Sequence, residues 1–129
     1  MPPTFLDIWD VLRIHQDQIE RYGGEPGIRD AGLLVSAMAA PRAGTEEGYL
    51  HEDLFEMAGA YLFHLVKNHP FVDANKRTGA VAAVVFLRMN GLRISADEAA
   101  FEALVRDVAG GKTSKAEIAE FFRQNAHPA

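Results

Sequence analysis

The stretch Asn75-Lys76-Arg77-Thr78-Gly79-Ala80-Val81-Ala82-Ala83-Val84-Val85-Phe86-Leu87-Arg88-Met89-Asn90 decides the fold. It reads as a helix from about Asn75 to Asn90, with Gly91 as its C-terminal stop. Residues 79–87 are apolar on every side of that helix, and a helix of this kind is stable only when other helices surround it. Just upstream, Leu54, Phe55, Ala58, Tyr61, Leu62, Leu65 and Val66 recur at helical spacing. That helix begins near Asp53, where Asp53 and Glu56 have the spacing of a capping box. It must end near Asn68, because Pro70 disfavours helical geometry at His69. The expected fold is all-α, built around the helix that starts at Asn75.

Working outward, Phe5, Ile8, Trp9, Leu12 and Ile19 predict a first helix over residues 5–22, stopped by Gly23-Gly24. Glu25-Pro26-Gly27 is a turn. Leu33, Leu34, Ala37 and Met38 share one face of a second helix over about residues 30–40, which Pro41 ends. Residues 41–50 hold two glycines and no helical period, so they form a loop or a short hairpin. After the central stretch, Ser95 with Glu98 caps a fifth helix to about Val108, Gly110-Gly111 breaks the chain, and Ser114 with Glu117 caps a sixth to about Gln124. A single domain spans residues 1–129, without internal repeats.

Composition narrows the function. A formal charge of −5 with 13 Lys and Arg spread along the chain leaves no basic stripe to neutralise a nucleic-acid backbone, so no direct nucleic-acid binding is expected. The absence of cysteine removes thiol nucleophiles, disulfides and Cys-ligated zinc, and fits a reducing compartment. No basic region followed by an apolar stretch marks a secretory signal at the N-terminus. The longest apolar run is far shorter than the roughly 20 residues a bilayer requires. A cytoplasmic protein with no membrane contact is expected.

The segment His69-Pro70-Phe71-Val72-Asp73-Ala74-Asn75-Lys76-Arg77 breaks a local rule. The first turn of a helix exposes free N–H groups and the positive end of the helix dipole, so it favours Asp or Glu. Here Lys76 and Arg77, the chain's one adjacent basic pair, occupy that turn. Positive charge there costs on the order of 0.3–1 kcal/mol per residue, and a bound anion would reverse the sign. Asp73 stands where a carboxylate could hold Mg²⁺ together with phosphate oxygens. His69 brings an imidazole, which exchanges protons near neutral pH. Phe71 is expected to point inward and anchor the loop, while Ala74 keeps the backbone accessible. Structural alternatives stand beside each role: Asp73 or Asn75 as a plain N-cap, His69 as a satisfied loop histidine, and Lys76 or Arg77 as solvated or paired with a carboxylate. From the residues alone, the reading is a phosphate site with a base beside it.

The same nine residues resemble the motif of the Fic/Doc family, His-x-Phe-x-(Asp/Glu)-(Gly/Ala)-Asn-(Gly/Lys)-Arg, at every defined position. Ala74 and Lys76, where Fic enzymes carry glycines, resemble the Doc (death on curing) branch. Arg21-Tyr22-Gly23-Gly24-Glu25-Pro26-Gly27-Ile28-Arg29-Asp30 and Phe86-Leu87-Arg88-Met89-Asn90-Gly91 are also similar to that branch. The resemblance implies a bundle of six or seven helices and a transferase that uses ATP and Mg²⁺. In Fic enzymes AMP is transferred to a protein hydroxyl; in Doc toxins the terminal phosphate is transferred and elongation factor Tu is inactivated. By this likeness His69 is the base, Asp73 the Mg²⁺ ligand, and Ala74, Asn75, Lys76 and Arg77 the phosphate cradle, with His69, Asp73 and Lys76 carrying the catalysis.

Two departures from the Fic pattern favour phosphate transfer. The position three after Arg77, commonly a second Arg in Fic enzymes, is Ala80, and Lys76 fills space where an AMP-transferring enzyme seats a diphosphate. The family's inhibitory motif is absent: Glu47-Gly48 comes nearest, but Ala43 stands at its Ser/Thr position. An antitoxin acting in trans through an amphipathic segment is therefore what the resemblance implies. Lys67, two residues before His69, is a further candidate phosphate contact, although a solvated lysine at a helix C-terminus is favourable by itself. Residues 41–50 are a candidate flap for aligning a target segment by strand pairing. His15, His51, His64 and His127 show no metal-ligand spacing, and His64 reads as a packing or surface residue. AMP transfer, and a protein-binding module with a vestigial nucleotide site, are the competing functions.

Overall fold

Asp7, Asp30, Asp53, Asp97 and Ser114 each cap a helix with a side-chain oxygen. Those helices are α1 (Ile8–Tyr22), α2 (Ala31–Ala39), α3 (Leu54–Asn68), α5 (Glu98–Ala109) and α6 (Lys115–Asn125). The sixth, α4 (Asn75–Met89), starts from Ala74 with no side-chain cap. The computed structural model describes residues 2–129. A 3-10 turn (Ala40–Arg42) follows α2, and an antiparallel hairpin of β1 (Gly44–Thr45) and β2 (Gly48–Tyr49) leads into α3. Residues 41–50 thus take the hairpin form of their two expected ones. Among the described residues no helix is long and apolar enough to cross a membrane.

Several expected boundaries move for identifiable reasons. The first helix starts at Ile8 rather than near Phe5, because Asp7 and Asp10 form a reciprocal capping box. Phe5 and Leu6 stay outside it, and the Leu6 N–H donates to the hydroxyl of buried Tyr61 at 3.0 Å. Burial pushes that phenol up to about 12. Asp53 accepts from the Glu56 N–H with one oxygen and meets Arg123 of α6 at 2.9 Å with the other, but the Glu56 carboxylate does not return to the Asp53 N–H, so only half of the expected box forms. The fifth helix is capped by Asp97, not by Ser95 with Glu98. Ser95 is drawn into sheet pairing instead, its N–H donating to the Asn125 carbonyl. That pairing joins β3 (Leu92–Ile94) to β4 (Ala126–Pro128), antiparallel, with Arg93 opposite His127.

The helix at the centre is α3, not the α4 expected from its apolar run. It packs against α2, α4, α5, α6 and the 3-10 turn, and residues 57–62, Leu65 and Val66 are buried. Each large apolar side chain buried in this way contributes about 1.5–3 kcal/mol. On α4 one face is closed by Thr78, Gly79, Ala82, Ala83, Phe86 and Leu87, whereas Ala80, Val81, Val84 and Val85 are only half-buried. The small residues explain the difference: they let α4 come close to α3 on one side without filling the space on the other. At Gly79 a Cβ would lie 3.0 Å from Val66 Cγ2 and 3.3 Å from the Leu62 carbonyl oxygen, so that approach depends on glycine.

Candidate active site

The loop between α3 and α4 runs between two residues in left-handed conformation, His69 (φ 52°, ψ 53°) and Ala74 (φ 64°, ψ 25°). They are the only non-glycine residues with positive φ among those described. Each costs about 1–2 kcal/mol in an L-residue, so surrounding contacts must hold them. Phe71, buried as expected, is the anchor. Asn75 clips it in place: its Oδ1 accepts from the Phe71 N–H at 2.9 Å and its Nδ2 donates to the Phe71 carbonyl at 3.0 Å.

The segment between α1 and α2 grips the other side of this loop. The N–H groups of Arg29 and Asp30 donate to the Pro70 carbonyl, at 2.7 and 3.0 Å, and the Val72 N–H donates to the Gly27 carbonyl at 3.0 Å. The Arg29 guanidinium donates to the carbonyls of His69 (2.7 Å) and Asn68 (3.0 Å). From α1, buried His15 stacks on the Phe71 ring and donates through Nε2 to the Asp73 carbonyl. Because a carbonyl only accepts, His15 carries its proton on Nε2.

Asp73 is exposed and its carboxylate is preorganised. Its Oδ1 accepts from the Ala74 N–H at 2.7 Å and its Oδ2 from the Glu25 N–H at 3.1 Å. Those two donors, helped by the nearby Arg77 and His15, hold its carboxyl below the usual range. The N-cap alternative for Asp73 and Asn75 does not hold, since neither side chain caps α4. The first intrahelical bond runs from the Thr78 N–H to the Ala74 carbonyl. The N–H groups of residues 75–77 therefore belong to the helix's unpaired first turn.

Every residue expected at the site, Lys67, His69, Asp73, Ala74, Asn75, Lys76 and Arg77, lines one cleft of about 480 Å³, with Val66 and Ala109 completing its wall. Lys67 and Lys76 are exposed. Arg77 is neither freely solvated nor paired with a carboxylate in a salt bridge: it donates to the carbonyls of Gln18 (3.1 Å) and Gly23 (3.0 Å) at the end of α1. The carbonyl ends of α1 and α3 thus face Arg77 and Arg29, which leaves the positive end of α4 as the open pole of the cleft. Gly24 belongs to the same device. At φ +122° a Cβ there would lie 2.7 Å from Asp73 Oδ2 and 3.2 Å from Arg77 Nη2.

The hairpin does not reach this cleft. Tyr49 packs edge-on against Phe5, which stacks on Phe86. Phe86 lies about 16 Å along α4 from Asn75 at 1.5 Å per residue. His51, His64 and His127 also lie outside it. His64 is a half-buried packing residue, as expected, with Nε2 at 3.3 Å from Lys115 Nζ. A second groove of about 500 Å³, lined by Ala80, Val81, Phe101 and Val105, shares Lys76 and Arg77 with the cleft.

His15, Gly24, Glu25 and Arg29 were not legible as site residues. Gly24, Glu25 and Arg29 fall in a stretch that resembled the family and His15 does not, but no spacing links any of them to carbonyls and carboxylates about 40 to 60 positions away.

Fold and cleft together define an all-α protein with an uncapped, cationic helix N-terminus facing a histidine and a carboxylate. Residues 5–87 match the sequence model of the Fic/DOC family, and the chain belongs to that family. It is 33% identical over 115 residues to "Protein kinase doc" of Escherichia phage P1, covering 89% of this chain and 90% of that protein. It is 43% identical over 93 residues to "Toxin Doc" of Mycolicibacterium smegmatis (strain ATCC 700084 / mc(2)155), covering 72% of this chain and 69% of that one. The Doc-branch resemblance of the motif thus holds over most of the chain.

Proposed function

We propose that this protein is the toxin of a toxin–antitoxin pair and transfers the terminal phosphate of ATP to a hydroxyl of a protein target, by resemblance elongation factor Tu. The observation that carries the reading is the convergence of a histidine, a carboxylate and three cationic side chains on the uncapped N-terminus of α4. The cleft fits a phosphate chain. Its free N–H groups and dipole end attract anions, and Lys76, Arg77 and Lys67 add charge.

Mg²⁺ fits through Asp73. Among the described residues no cluster of three or more His, Asp or Glu could hold a metal alone, and Mg²⁺ characteristically shares one or two carboxylates with phosphates and water. When bound, the ion neutralises phosphate charge and orients the chain. Asp73 is suited to it, because its two N–H bonds keep it ionised and each oxygen retains acceptor capacity. His69 accepts the proton of the target hydroxyl, whose oxygen bonds to the terminal phosphorus as ADP departs. The N–H groups of residues 75–77 with the Lys76 and Arg77 side chains hold the phosphates, while the Ala74 N–H, expected in the cradle, is taken by Asp73 Oδ1. The Asn75 side chain is occupied by Phe71, so Asn75 serves the cradle through its N–H and by keeping the loop closed. The groove beside Ala80 and Val81 suits an amphipathic segment of the antitoxin, whose docking next to Lys76 and Arg77 would block the cleft.

Purified protein incubated with elongation factor Tu and ATP labelled at either the γ- or the α-phosphate tests the reading. Label transferred from the γ-position is expected. Transfer from the α-position would establish AMP transfer instead, and no transfer from either would leave a binding module with a vestigial site.

A further inference from the structure

His69 combines two properties that are hard to reconcile. Its side chain is exposed in the cleft, so packing does not hold the ring, yet its backbone is left-handed without being glycine. Backbone conformation sets the direction of the Cα–Cβ bond, so relaxation of His69 to a right-handed or extended geometry would swing the imidazole away from Asp73 and Lys76. Something outside the loop must oppose that relaxation.

The contacts point to Arg29. Its Nε donates to the His69 carbonyl at 2.7 Å and its Nη2 to the Asn68 carbonyl at 3.0 Å. These two carbonyls stand at the C-terminal end of α3, where helical acceptors lack partners and the dipole is negative. The planar guanidinium bridges both at once, which the single ammonium of a lysine does less well. The Arg29 N–H also donates to the Pro70 carbonyl at 2.7 Å, so one residue grips three successive peptide units around His69. Nothing in the transfer chemistry needs Arg29, since it is absent from the cleft lining.

We propose that Arg29 is a positioning residue: by bridging the Asn68 and His69 carbonyls it locks His69 in the left-handed conformation that aims its imidazole into the cleft. The inference deepens the proposed transfer reaction and rests on that reading for the role of His69. It predicts a particular kinetic signature. Phosphate binding belongs to α4, Lys76 and Arg77, which Arg29 does not touch, so losing it should lower turnover and leave ATP affinity intact.

The test compares Arg29→Ala, Arg29→Lys and the unmodified protein in the labelled-ATP assay, well below the melting temperature of each. Arg29→Ala is expected to lower kcat by about 10- to 100-fold with an unchanged KM for ATP, the scale on which misplacement of a reacting group acts. Arg29→Lys should recover part of the loss, and millimolar guanidinium ion should restore part of it to Arg29→Ala. Unchanged kcat in Arg29→Ala, or a loss that lies wholly in KM, overturns the proposal. A second measurement is independent of activity: the HN–Hα coupling and carbon shifts of His69, which report its backbone geometry. Departure from left-handed values in Arg29→Ala supports the role, and unchanged values overturn it. If the unmodified protein transfers no phosphate, the proposed function falls, and the His69 backbone measurement still decides the positional claim.

Discussion

The imidazole of His15 lies flat on the ring of Phe71, with centroids 3.8 Å apart and planes 7° from parallel, and donates to the Asp73 carbonyl at 3.0 Å. One side chain of α1 thus holds both the buried anchor of the α3–α4 loop and the backbone of its carboxylate. His15→Phe keeps an aromatic stack but removes the donor, and is expected to cost about 1 kcal/mol of stability. His15→Ala removes both and leaves a cavity, at about 2–4 kcal/mol. Urea denaturation of the two variants reads the difference, and equal losses would show that the hydrogen bond, not the stack, carries the effect.

Gly24→Ala should disturb Asp73 beyond the strain it adds to the backbone. The new Cβ would meet Asp73 Oδ2 at 2.7 Å, whereas at Gly23, also in a positive-φ conformation (+81°), a Cβ would meet nothing within 4 Å. Both alanine variants are expected to lose about 1–3 kcal/mol from φ alone. Only Gly24→Ala should also raise the Mg²⁺ concentration needed for half-maximal transfer. A Mg²⁺ titration of both variants checks this.

His69→Ala is expected to lower transfer by about 10²–10⁴-fold, the usual contribution of a general base. Because His69 is exposed, the variant should melt within a few degrees of the unmodified protein. A folded His69→Ala protein that transfers phosphate at the full rate would remove the histidine from the mechanism.

Acid should weaken the fold through His64. Burial, with Lys115 alongside, pushes this imidazole down to about 4 from its ordinary 6.5. The unfolded chain therefore takes up a proton that the folded chain resists. The neutral histidine's contribution is complete above the ordinary value, declines as pH falls toward the folded value, and is constant below it. His64 is only half-buried, so the loss over that window is on the order of 1 kcal/mol after discounting for solvent screening. His51, lowered by burial and also by Lys115, adds in the same direction. Urea midpoints at neutral and mildly acidic pH should differ less for His64→Gln than for the unmodified protein.

What could be read in the chain was what acts locally. Asp53 and Ser114 cap the helices they were expected to cap, because an N-cap bond spans only three residues. Apolar stripes located α1, α2 and α3, an apolar run located α4, and capping pairs on either side of Gly110-Gly111 located α5 and α6, since none of these signals needs knowledge of partners. The candidate cleft was legible for a related reason: Lys76 and Arg77 at a helix N-terminus contradict a local preference, and that contradiction singles the segment out. The fifth helix failed this test by two residues, because Ser95, a sound cap by composition, is engaged by Asn125 from the other end of the chain.

The sequence by itself thus determined the helices, the loop of the candidate site and the family to which the chain belongs. Only the tertiary structure decided that α3 is the centre, that β3 pairs with β4, that the hairpin sits at the far end of α4, and that His15, Gly24, Glu25 and Arg29 pack around the loop of the candidate site. The physical reason is the same in each case. These choices rest on close packing and on hydrogen bonds to backbone carbonyls and N–H groups, which every residue type carries alike. Such partners leave no mark in composition or spacing, and they are selected only when distant segments meet.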